Sequence, residues 1–297
     1  MLHIMTDTGA DFTPDRQEEL GIFIRPIHIA FENEEVPQNC DEDLTAFYER
    51  LEKEKNPPTT SRLSPGELMM DFKGILNQIG PEDQLLYICL SSKLSGTYEM
   101  AIRSQADLND ERLFVFDSLS ATYGQSMEVL RAREKRDEGL DAAQVIQDLK
   151  SFRNHILIHV MLDTLSHLKK GGRIPGPLAA FGDALSIKPN VIETPMGYVE
   201  LLNISRGKKA CLNKQIAILE NNHRVEKYKP VVLYTSDKQL AMDYQEEIRR
   251  RLHIETDLMR MGAVIGAHIG PRSVGLCGIL RDEIINVFFP ASRKWRR

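Results

Sequence analysis

The sequence predicts an α/β protein with a parallel sheet in its first part and a second α/β domain after it. Three observations favour this fold class. Apolar runs alternate with segments of helical periodicity, which is the pattern of parallel βαβ units. Several runs end in hydroxyl and acidic residues, as strands do where they lead into helices. The 297 residues, 42% of them hydrophobic, suffice for one large or two modest domains.

The first elements follow from the apolar runs and the residues that bound them. The stretch LHIMTD predicts a strand, and TDTGAD supplies turn and cap residues before a helix in PDRQEELG. A second strand is predicted in IFIRPIHIAF. A helix follows in DEDLTAFYERLEKEK, whose acidic start suits the positive end of a helix dipole. These elements form the first units of the expected parallel sheet.

A loop is expected next, in NPPTTSRLSPGEL, because three prolines and four hydroxyl residues cluster there. Within it, Ser64, Pro65 and Glu67 resemble an N-cap, a proline at the first helical position and a capping-box acid. Further strands, each followed by a helical segment, are predicted in QLLYICL, RLFVFD and PVVLYTS. Ligands bind at the carboxyl ends of strands in open α/β sheets, so four stretches should converge in one crevice: TDTGAD, SSKLSGT, DSLSATYG and TSD.

The second half of the chain changes character near residue 154. A strand in NHILIHVM leads into a helix broken at Gly171–Gly172, and a strand, a basic turn and an amphipathic helix follow in YVELLNISRGKKACLNKQIAILENN. We therefore expect domains at 1–154 and 155–297. PVVLYTSD resembles a strand of the first sheet, which would let the chain cross back between the domains.

Charge and hydropathy narrow the function classes. A net charge of -5 and a pI near 6.0 disfavour nucleic-acid binding. Only the tail RKWRR, residues 293–297, is strongly basic, and it suits either a solvated terminus or an anionic partner. No run of about 18 apolar residues occurs, so neither export nor a transmembrane segment is expected, which leaves transient membrane contact open.

Neither the cysteines nor the strand-end acids predict a metal site. The cysteines lie far apart without a C-x-x-C pair, which also disfavours a disulfide framework and favours the cytoplasm: Cys40, Cys89, Cys211 and Cys277. Three aspartates could bind a divalent cation, but aspartates at strand ends are expected to cap helices instead: Asp7, Asp11 and Asp117.

The stretch LSSKLSGTYEMA, residues 90–101, places four serine and threonine residues between an apolar strand and a helix. Hydroxyl donors beside the free backbone N–H groups of a helix start can hold a carboxylate or a phosphate. Plain capping of the following helix by Ser95 is the alternative, and both interpretations stay open. Two interpretations also stay open for Thr60 and Ser61 of PTTS, which could contact an anion or belong to an ordinary turn.

His268 is the third polar candidate. In VIGAHIGPRSVG it is expected to follow an apolar strand and to be aimed by the Gly270–Pro271 turn. It could donate to a bound anion, act as a base, or be a satisfied structural histidine. The basic runs LKKGGRI and SRGKKA could receive a phosphate or an acidic partner, or be solvated turns.

Together these stretches resemble the DegV family of fatty-acid-binding proteins, also called FakB. The resemblance runs from about residue 3 to residue 287, with eight motifs in the family's order: TDTGADF, TTSRLSPGE, LSSKLSGTYEMA, VFDSLSATYG, LKKGGRI, IKP, SRGKKA and IGAHIGP. It implies a two-domain α/β protein that encloses one long-chain fatty acid between its domains and uses no cofactor. It also implies a carrier, not an enzyme, which presents the acyl carboxylate to a separate ATP-dependent kinase that makes acyl-phosphate for phospholipid synthesis.

Position by position, the resemblance implies that Thr60, Ser95 and His268 bind the carboxylate, with Ser61 and Ser92 as neighbouring candidates. Most of the affinity for a fatty acid comes from its tail, at roughly 0.8 kcal/mol per buried methylene, so a few neutral donors suffice for the head group. Part of an apolar lining is expected from a stripe at helical spacing: Leu178, Phe181 and Leu185.

The resemblance also implies that Arg173 of GGRI and Arg206 of SRGKKA engage the kinase and assist phosphoryl transfer. The chain departs from the common family pattern at three places, one of which is the basic strand NISRGKKA, which has fewer arginines than the commoner form. TSRLSPGEL replaces TSQPSPGEF, which puts Arg62 and Leu63 beside the head-group loop, and HIGPRS puts Arg272 at a glycine position. These departures challenge the kinase partnership more than they challenge fatty-acid binding.

Other functions compete with this interpretation. A diverged member could bind another lipid or amphiphile without a kinase partner. A serine hydrolase would use Ser95, His268 and Asp7, but the G-x-S-x-G elbow is missing from the sequence. A nucleotide or sugar-phosphate enzyme would need a glycine-rich phosphate loop, which KKGGRI does not match.

Overall fold

The computed structural model of the chain describes six ranges: residues 1–32, 34–38, 43–54, 56–173, 187–222 and 228–288. The chain divides into two compact units. The first comprises Met1–Glu42 and Pro58–Arg153, and the second comprises Asp43–Pro57 and Asn154–Arg297. Three sequence-based expectations fall outside the described residues: the Leu178, Phe181 and Leu185 stripe, Cys40, and the basic tail 293–297.

The described residues of the first unit form seven strands: β1 (Leu2–Asp7), β2 (Phe23–Arg25), β3 (Ile27–Phe31), β4 (Glu34–Gln38), β5 (Thr59–Ser61), β6 (Gln84–Cys89) and β7 (Leu113–Asp117). The helices up to residue 152 are α1 (Pro14–Leu20), α2 (Leu44–Lys53), α3 (Pro65–Leu76), α4 (Thr97–Leu108), α5 (Thr122–Asp137) and α6 (Ala142–Phe152). Of these helices, α2 belongs to the second unit.

Four strands form the predicted parallel sheet, in the order β2-β1-β6-β7, and every neighbouring pair is parallel. Its central strands are apolar on both faces because helices cover both. Ile4 and Leu86 pack on the face that also contacts α5 and α6. Met5 and Tyr87 pack on the other face, together with Phe72 of α3. The structure thus confirms LHIMTD, QLLYICL and RLFVFD as strands of one parallel sheet.

The prediction of one strand in IFIRPIHIAF was wrong. Pro26 separates β2, which lies in the parallel sheet, from β3, which pairs with β4 and β5 in a three-stranded antiparallel sheet. Proline has no N–H for a ladder and restricts the residue before it, so the chain changes sheets at this point. The predicted loop is also partly a strand, because Thr60 pairs with Ile29 and Ser61 with His28. The capping box of Ser64 at the start of α3 is confirmed.

Where the structure describes it, the second unit has six strands: β8 (Ile156–Met161), β9 (Ile187–Glu193), β10 (Val199–Arg206), β11 (Val231–Tyr234), β12 (Asp257–Arg260) and β13 (Val274–Ile279). Its helices after α2 are α7 (Ser166–Lys170), α8 (Lys208–Asn222), α9 (Lys238–Leu252), α10 (Ala263–Ile269) and α11 (Ile284–Phe288). None of the helices in the described ranges is long and apolar enough to cross a membrane.

The second sheet is mixed, in the order β10-β9-β8-β13-β11-β12, and only β11 and β12 run parallel. Two expectations are corrected here. PVVLYTS forms β11 of this sheet. The TSD stretch that follows it therefore does not lie at the carboxyl ends of the strands of the first sheet. VIGAH is helix α10 and not a strand, so His268 lies within a helix. A short apolar run cannot be assigned to strand or buried helix by periodicity alone.

A histidine lies in the core of the second unit. His159 of β8 is fully buried, and alternation puts it on the same face as Leu157 and Met161, which pack with α8. Its ring meets that of Phe288 edge-on at 6.3 Å. Burial lowers the pKa of His159 from 6.5 to about 3, so the ring is neutral at pH 7.

This burial predicts acid-sensitive stability. The unfolded chain protonates His159 near pH 6.5 and the folded chain only near pH 3, so the stabilisation is complete above pH 6.5 and falls as the pH drops toward 3. Between pH 7 and pH 5 the loss should be about 2 kcal/mol. Urea unfolding at the two pH values measures it. His159→Gln should remove this component, whereas His253→Asn, at an exposed left-handed helix end, should keep it. Equal pH dependence in wild type and His159→Gln would contradict the prediction.

Candidate functional site

The carboxyl ends of the strands in the first sheet are tied together by Asp7. This side chain is fully buried at the end of β1. Its Oδ2 accepts hydrogen bonds from the Leu90 N–H at 2.9 Å and the Tyr87 hydroxyl at 3.0 Å. Its Oδ1 accepts from the Gly9 N–H at 2.9 Å and the Gln125 amide at 3.1 Å. Burial raises the pKa of Asp7, and the four hydrogen bonds oppose the rise.

The hydroxyl-rich stretch after β6 is a compact turn that its own backbone hydrogen bonds stabilise. The backbone N–H groups of Leu94 and Ser95 both donate to the Ser91 carbonyl at 3.0 Å. The Ser92 N–H donates to Asp117 Oδ1 at 3.0 Å, so the end of β7 fixes the turn from the side. Asp7 caps the short 3-10 helix Thr8–Ala10, as expected, whereas Asp117 binds the N–H groups of Ser92 and Leu119 in turns and does not cap a helix. In the described part of the chain, no group of three or more metal-ligating side chains is assembled.

Ser95 forms a hydroxyl pair with Thr97. Their oxygens are 2.9 Å apart, and Ser95 Oγ also accepts the Thr97 N–H at 3.3 Å. Thr97 is fully buried, whereas Ser95 is half-buried. The bond between the two hydroxyls uses one of their two protons, so one donor of the pair remains. Gly96, not Ser95, is the N-cap of α4, so capping by Ser95 is limited to the Thr97 N–H and leaves anion binding open.

Thr60 and Ser61 are half-buried on β5, directly before α3. The start of that helix is held firmly. The Ser64 N–H donates to Glu67 at 3.0 Å in the capping box, and Arg25 donates to Glu67 at 2.9 Å. The hydrogen bonds from Ser64 lower the pKa of Glu67, which stays ionised. This network fixes the backbone on which the two hydroxyls are carried.

Arg62, one of the departures from the family pattern, brings the end of β5 next to the turn that follows β6. A β-carbon placed on Gly96 would lie 3.0 Å from Arg62 Cδ and 3.5 Å from Arg62 Nη1. The side chain of Arg62 therefore lies against the residue after Ser95. The structure thereby brings the end of β5 beside the start of α4, and Thr60, Ser61 and Ser95 into the same region of the first unit.

The remaining predicted residues lie in the second unit, and His268 and Arg173 converge there on the turn after α7. A β-carbon on Gly171 would overlap Nδ1 of the His268 ring, so the ring lies directly on the glycine. Arg173 Nη1 donates to the Gly171 carbonyl at 2.5 Å. Burial, followed by the nearby charges of Arg173 and His167, lowers the pKa of His268 from 6.5 to about 4. The imidazole is therefore neutral at pH 7.

Arg206 is exposed at the end of β10. Its guanidinium has no hydrogen bond or ion pair to any residue in the described ranges. Arg173 differs, since it is only partly exposed and burial lowers its pKa. The structure therefore places Arg173 beside His268 and leaves Arg206 available at the surface of its unit.

Arg272, also a departure from the family pattern, points to another element. Its backbone is left-handed, with φ 56°, and its guanidinium lies 3.5 Å from Glu52 of α2. The Arg272 N–H donates to the Ser236 hydroxyl at 3.0 Å. At this glycine position of the family pattern, Arg272 adopts a left-handed backbone, and its guanidinium forms an ion pair with α2.

Sequence reasoning missed the anchor of the helix that carries His268. Tyr48 of α2 is buried and donates to the Met261 carbonyl at 2.7 Å. A β-carbon on Gly266 would overlap its hydroxyl, so α10 packs directly on the tyrosine ring. The ring of His167 similarly fills the space beside Gly270, whose φ is +78°. No local spacing signals these contacts; the only hint was the glycine at every fourth position of GAVIGAHIG.

Comparison with known proteins agrees with this architecture. Residues 1–281 match a family model described as an uncharacterised protein of the DegV family. A DegV domain-containing protein of Halalkalibacterium halodurans is 28% identical over 274 residues, which cover 92% of this chain and 96% of that protein.

Two solved structures share the fold. One reports fatty acid binding of a DegV family protein from Thermus thermophilus; it is 28% identical, with a TM-score of 0.81 over 94% of this chain and 99% of that one. The other is a stearic acid-binding protein from Eubacterium ventriosum, 24% identical, with a TM-score of 0.83 over 95% of this chain and 99% of that one. On the match over residues 1–281, the chain belongs to the DegV family.

Proposed function

We propose that this protein binds a long-chain fatty acid and holds its carboxylate with Thr60, Ser61, Ser95 and His268. The observation that carries the proposal is the turn after β6, where Ser95 is half-buried and the Ser95–Thr97 pair keeps one spare donor. A bound fatty acid in the Thermus thermophilus relative supports the same ligand class. The acyl chain would be enclosed between the two domains, as the family resemblance implies.

The chemistry of the four residues suits a carboxylate that must later be released. Hydroxyls and a neutral imidazole donate hydrogen bonds without adding a full charge. His268 meets this requirement because its pKa is about 4. The tail supplies most of the affinity through burial of its methylenes, at roughly 0.8 kcal/mol each. The head-group site then has to orient the carboxylate more than to grip it.

We further propose that the protein is a cytoplasmic carrier that presents the carboxylate to a separate ATP-dependent kinase. Two arginines would serve that step. Arg173 lies beside His268, close to where the head group would be, and Arg206 is exposed at the end of β10. Guanidinium groups match the geometry of phosphate oxygens, which suits both to an acyl-phosphate and to an acidic partner surface.

The serine hydrolase alternative requires Asp7 as the third residue of its catalytic triad, and Asp7 does not suit that role. Asp7 would have to orient His268, yet both of its carboxylate oxygens already accept two hydrogen bonds within the first unit. Its pKa is raised by burial, which further reduces its use as a charged partner for an imidazolium.

The first test is whether the purified protein carries a fatty acid. Native mass spectrometry followed by denaturing extraction should show one acyl chain per protein molecule. A preparation that is empty and also fails to take up added C14 to C18 acids would contradict the proposal. Turnover of a chromogenic ester that disappears in Ser95→Ala would favour the hydrolase instead.

Head-group contacts should show in binding constants. Thr60→Val keeps the shape of the side chain and removes the hydroxyl, and Ser95→Ala removes the other donor. Each should weaken myristate binding about ten- to a hundredfold, because a hydrogen bond to a charged group is worth about 1.5 to 3 kcal/mol. Thr59→Val is the matched control, since Thr59 is exposed on the same strand. Equal affinities for the Thr59 and Thr60 variants would contradict the assigned contact.

The charge state of His268 gives a second prediction. With a pKa near 4, its imidazole should stay neutral from pH 8 to pH 5, which an NMR titration of the ring resonances measures. Arg173→Gln removes a nearby cation, so the pKa of His268 should rise, although burial should still keep it below 6.5. A wild-type His268 that titrates near 6.5 would refute the neutral-donor role.

The kinase step can be separated from binding. Arg206→Ala should leave myristate affinity within about twofold of wild type, because the residue is exposed at the end of β10. It should reduce ATP-dependent formation of acyl-phosphate by a fatty-acid kinase from the same genome at least tenfold. Lys209→Ala, an exposed cation on the neighbouring helix, serves as the control. Unchanged turnover in Arg206→Ala would remove this arginine from the partner surface.

A further inference from the structure

Arg62 is an exposed cation without a counter-ion in the described part of the chain. Its side chain has no hydrogen bond or ion pair to any residue in those ranges. The acids of the same unit that hold the neighbouring loops are already engaged. Asp117 accepts the N–H groups of Ser92 and Leu119. Glu67 is bound by Ser64 and Arg25. The positive charge of Arg62 is therefore available to a ligand.

The position of Arg62 links it to the hydroxyls. It comes directly after Thr60 and Ser61 on the chain, at the end of β5. Its Cδ lies 3.0 Å from the place that a β-carbon of Gly96 would occupy, and its Nη1 lies 3.5 Å from it. Gly96 in turn is the residue after Ser95. The guanidinium is thus held against the turn that carries the spare hydroxyl donor.

We propose that Arg62 is a specificity-determining residue of the head-group site in this chain. Its guanidinium pairs with the ionised carboxylate, so the site selects an anionic head group over an uncharged one of the same chain length. This inference rests on the proposed fatty-acid function. It explains the departure of TSRLSPGEL from the common TSQPSPGEF, in which glutamine stands at this position.

The physical reason is the difference between a dipole and a charge. Neutral hydroxyl and imidazole donors already favour a carboxylate over an alcohol, because hydrogen bonds to an ionised acceptor are the stronger ones. A guanidinium adds a Coulomb attraction that only the ionised ligand receives, and it matches both carboxylate oxygens. Because Arg62 is exposed, that attraction is moderate and is screened by salt.

The test compares myristate with 1-tetradecanol, which share a tail length and differ in charge. Affinities of the full-length wild type and of Arg62→Gln are measured by displacement of a fluorescent fatty acid at low and high sodium chloride. Arg62→Gln should weaken myristate binding about three- to tenfold at low salt and leave 1-tetradecanol unchanged. The wild-type preference for myristate should shrink at high salt, whereas that of the variant should stay nearly constant.

Arg103→Gln is the matched control. Arg103 is exposed on α4 and has no partner in the described ranges, so its removal makes the same change in net charge away from the turn. It should leave the ratio of the two affinities as in wild type. Arg62→Lys keeps the charge without the planar fork, and it should retain part of the preference.

Gly96→Ala tests the contact independently. The backbone at Gly96 has φ -75°, which alanine adopts without strain, so the added methyl should displace only the Arg62 side chain. The variant should lose part of the selectivity, and the loss should not add to that of Arg62→Gln in the double variant. Additive losses would show that the two residues act separately.

The outcomes distinguish the role of Arg62 from the proposed fatty-acid binding on which it rests. Myristate bound by wild type with unchanged selectivity in Arg62→Gln would overturn the role of Arg62 and leave fatty-acid binding intact. A wild type that binds neither ligand would overturn both.

Discussion

The buried carboxylate of Asp7 is the constraint on which the head-group region depends. A carboxyl group in an apolar core is costly unless it is hydrogen-bonded. The chain meets that demand with donors from three elements: the turn after β1, the end of β6, and α5. The same bonds fix the point at which β6 leaves the sheet. The turn that carries Ser95 begins at that point, so the electrostatics of one side chain set the geometry of the whole turn.

The fold could be predicted where the signal is local and repeated. The strands at LHIMTD and QLLYICL carry apolar residues without interruption, and the capping box at Ser64 is spelled out within four residues. Sheet membership could not be predicted in the same way. β11 has the composition of a parallel strand, yet its neighbours β13 and β12 are chosen by contacts across the sheet. The short run VIGAH was wrongly assigned to a strand for the same reason. Its composition does not distinguish a strand from a buried helix, and its packing on Tyr48 exists only in the folded chain.

In the candidate site, too, local sequence signals could be predicted and contacts between distant residues could not. Clusters of hydroxyl residues beside apolar runs are visible in sequence, so Thr60 and Ser95 could be named as candidates. The neutral state of His268 could not be read from its neighbours along the chain. It depends on burial and on Arg173 and His167, which are brought to the imidazole by the turn after α7. Arg62 was visible as a departure from the family pattern, but its contact with Gly96 belongs to the folded chain.

The discontinuity of the second unit has a consequence for how the protein is made. Tyr48 and the Met261 carbonyl, joined by a buried hydrogen bond, are 213 positions apart. At roughly 5 to 20 residues per second, the ribosome completes that interval in about 10 to 40 s. Helix α2 therefore leaves the ribosome long before the helix that it anchors exists. Tyr48, which is buried in the folded protein, therefore cannot form this native hydrogen bond until residue 261 has been synthesised.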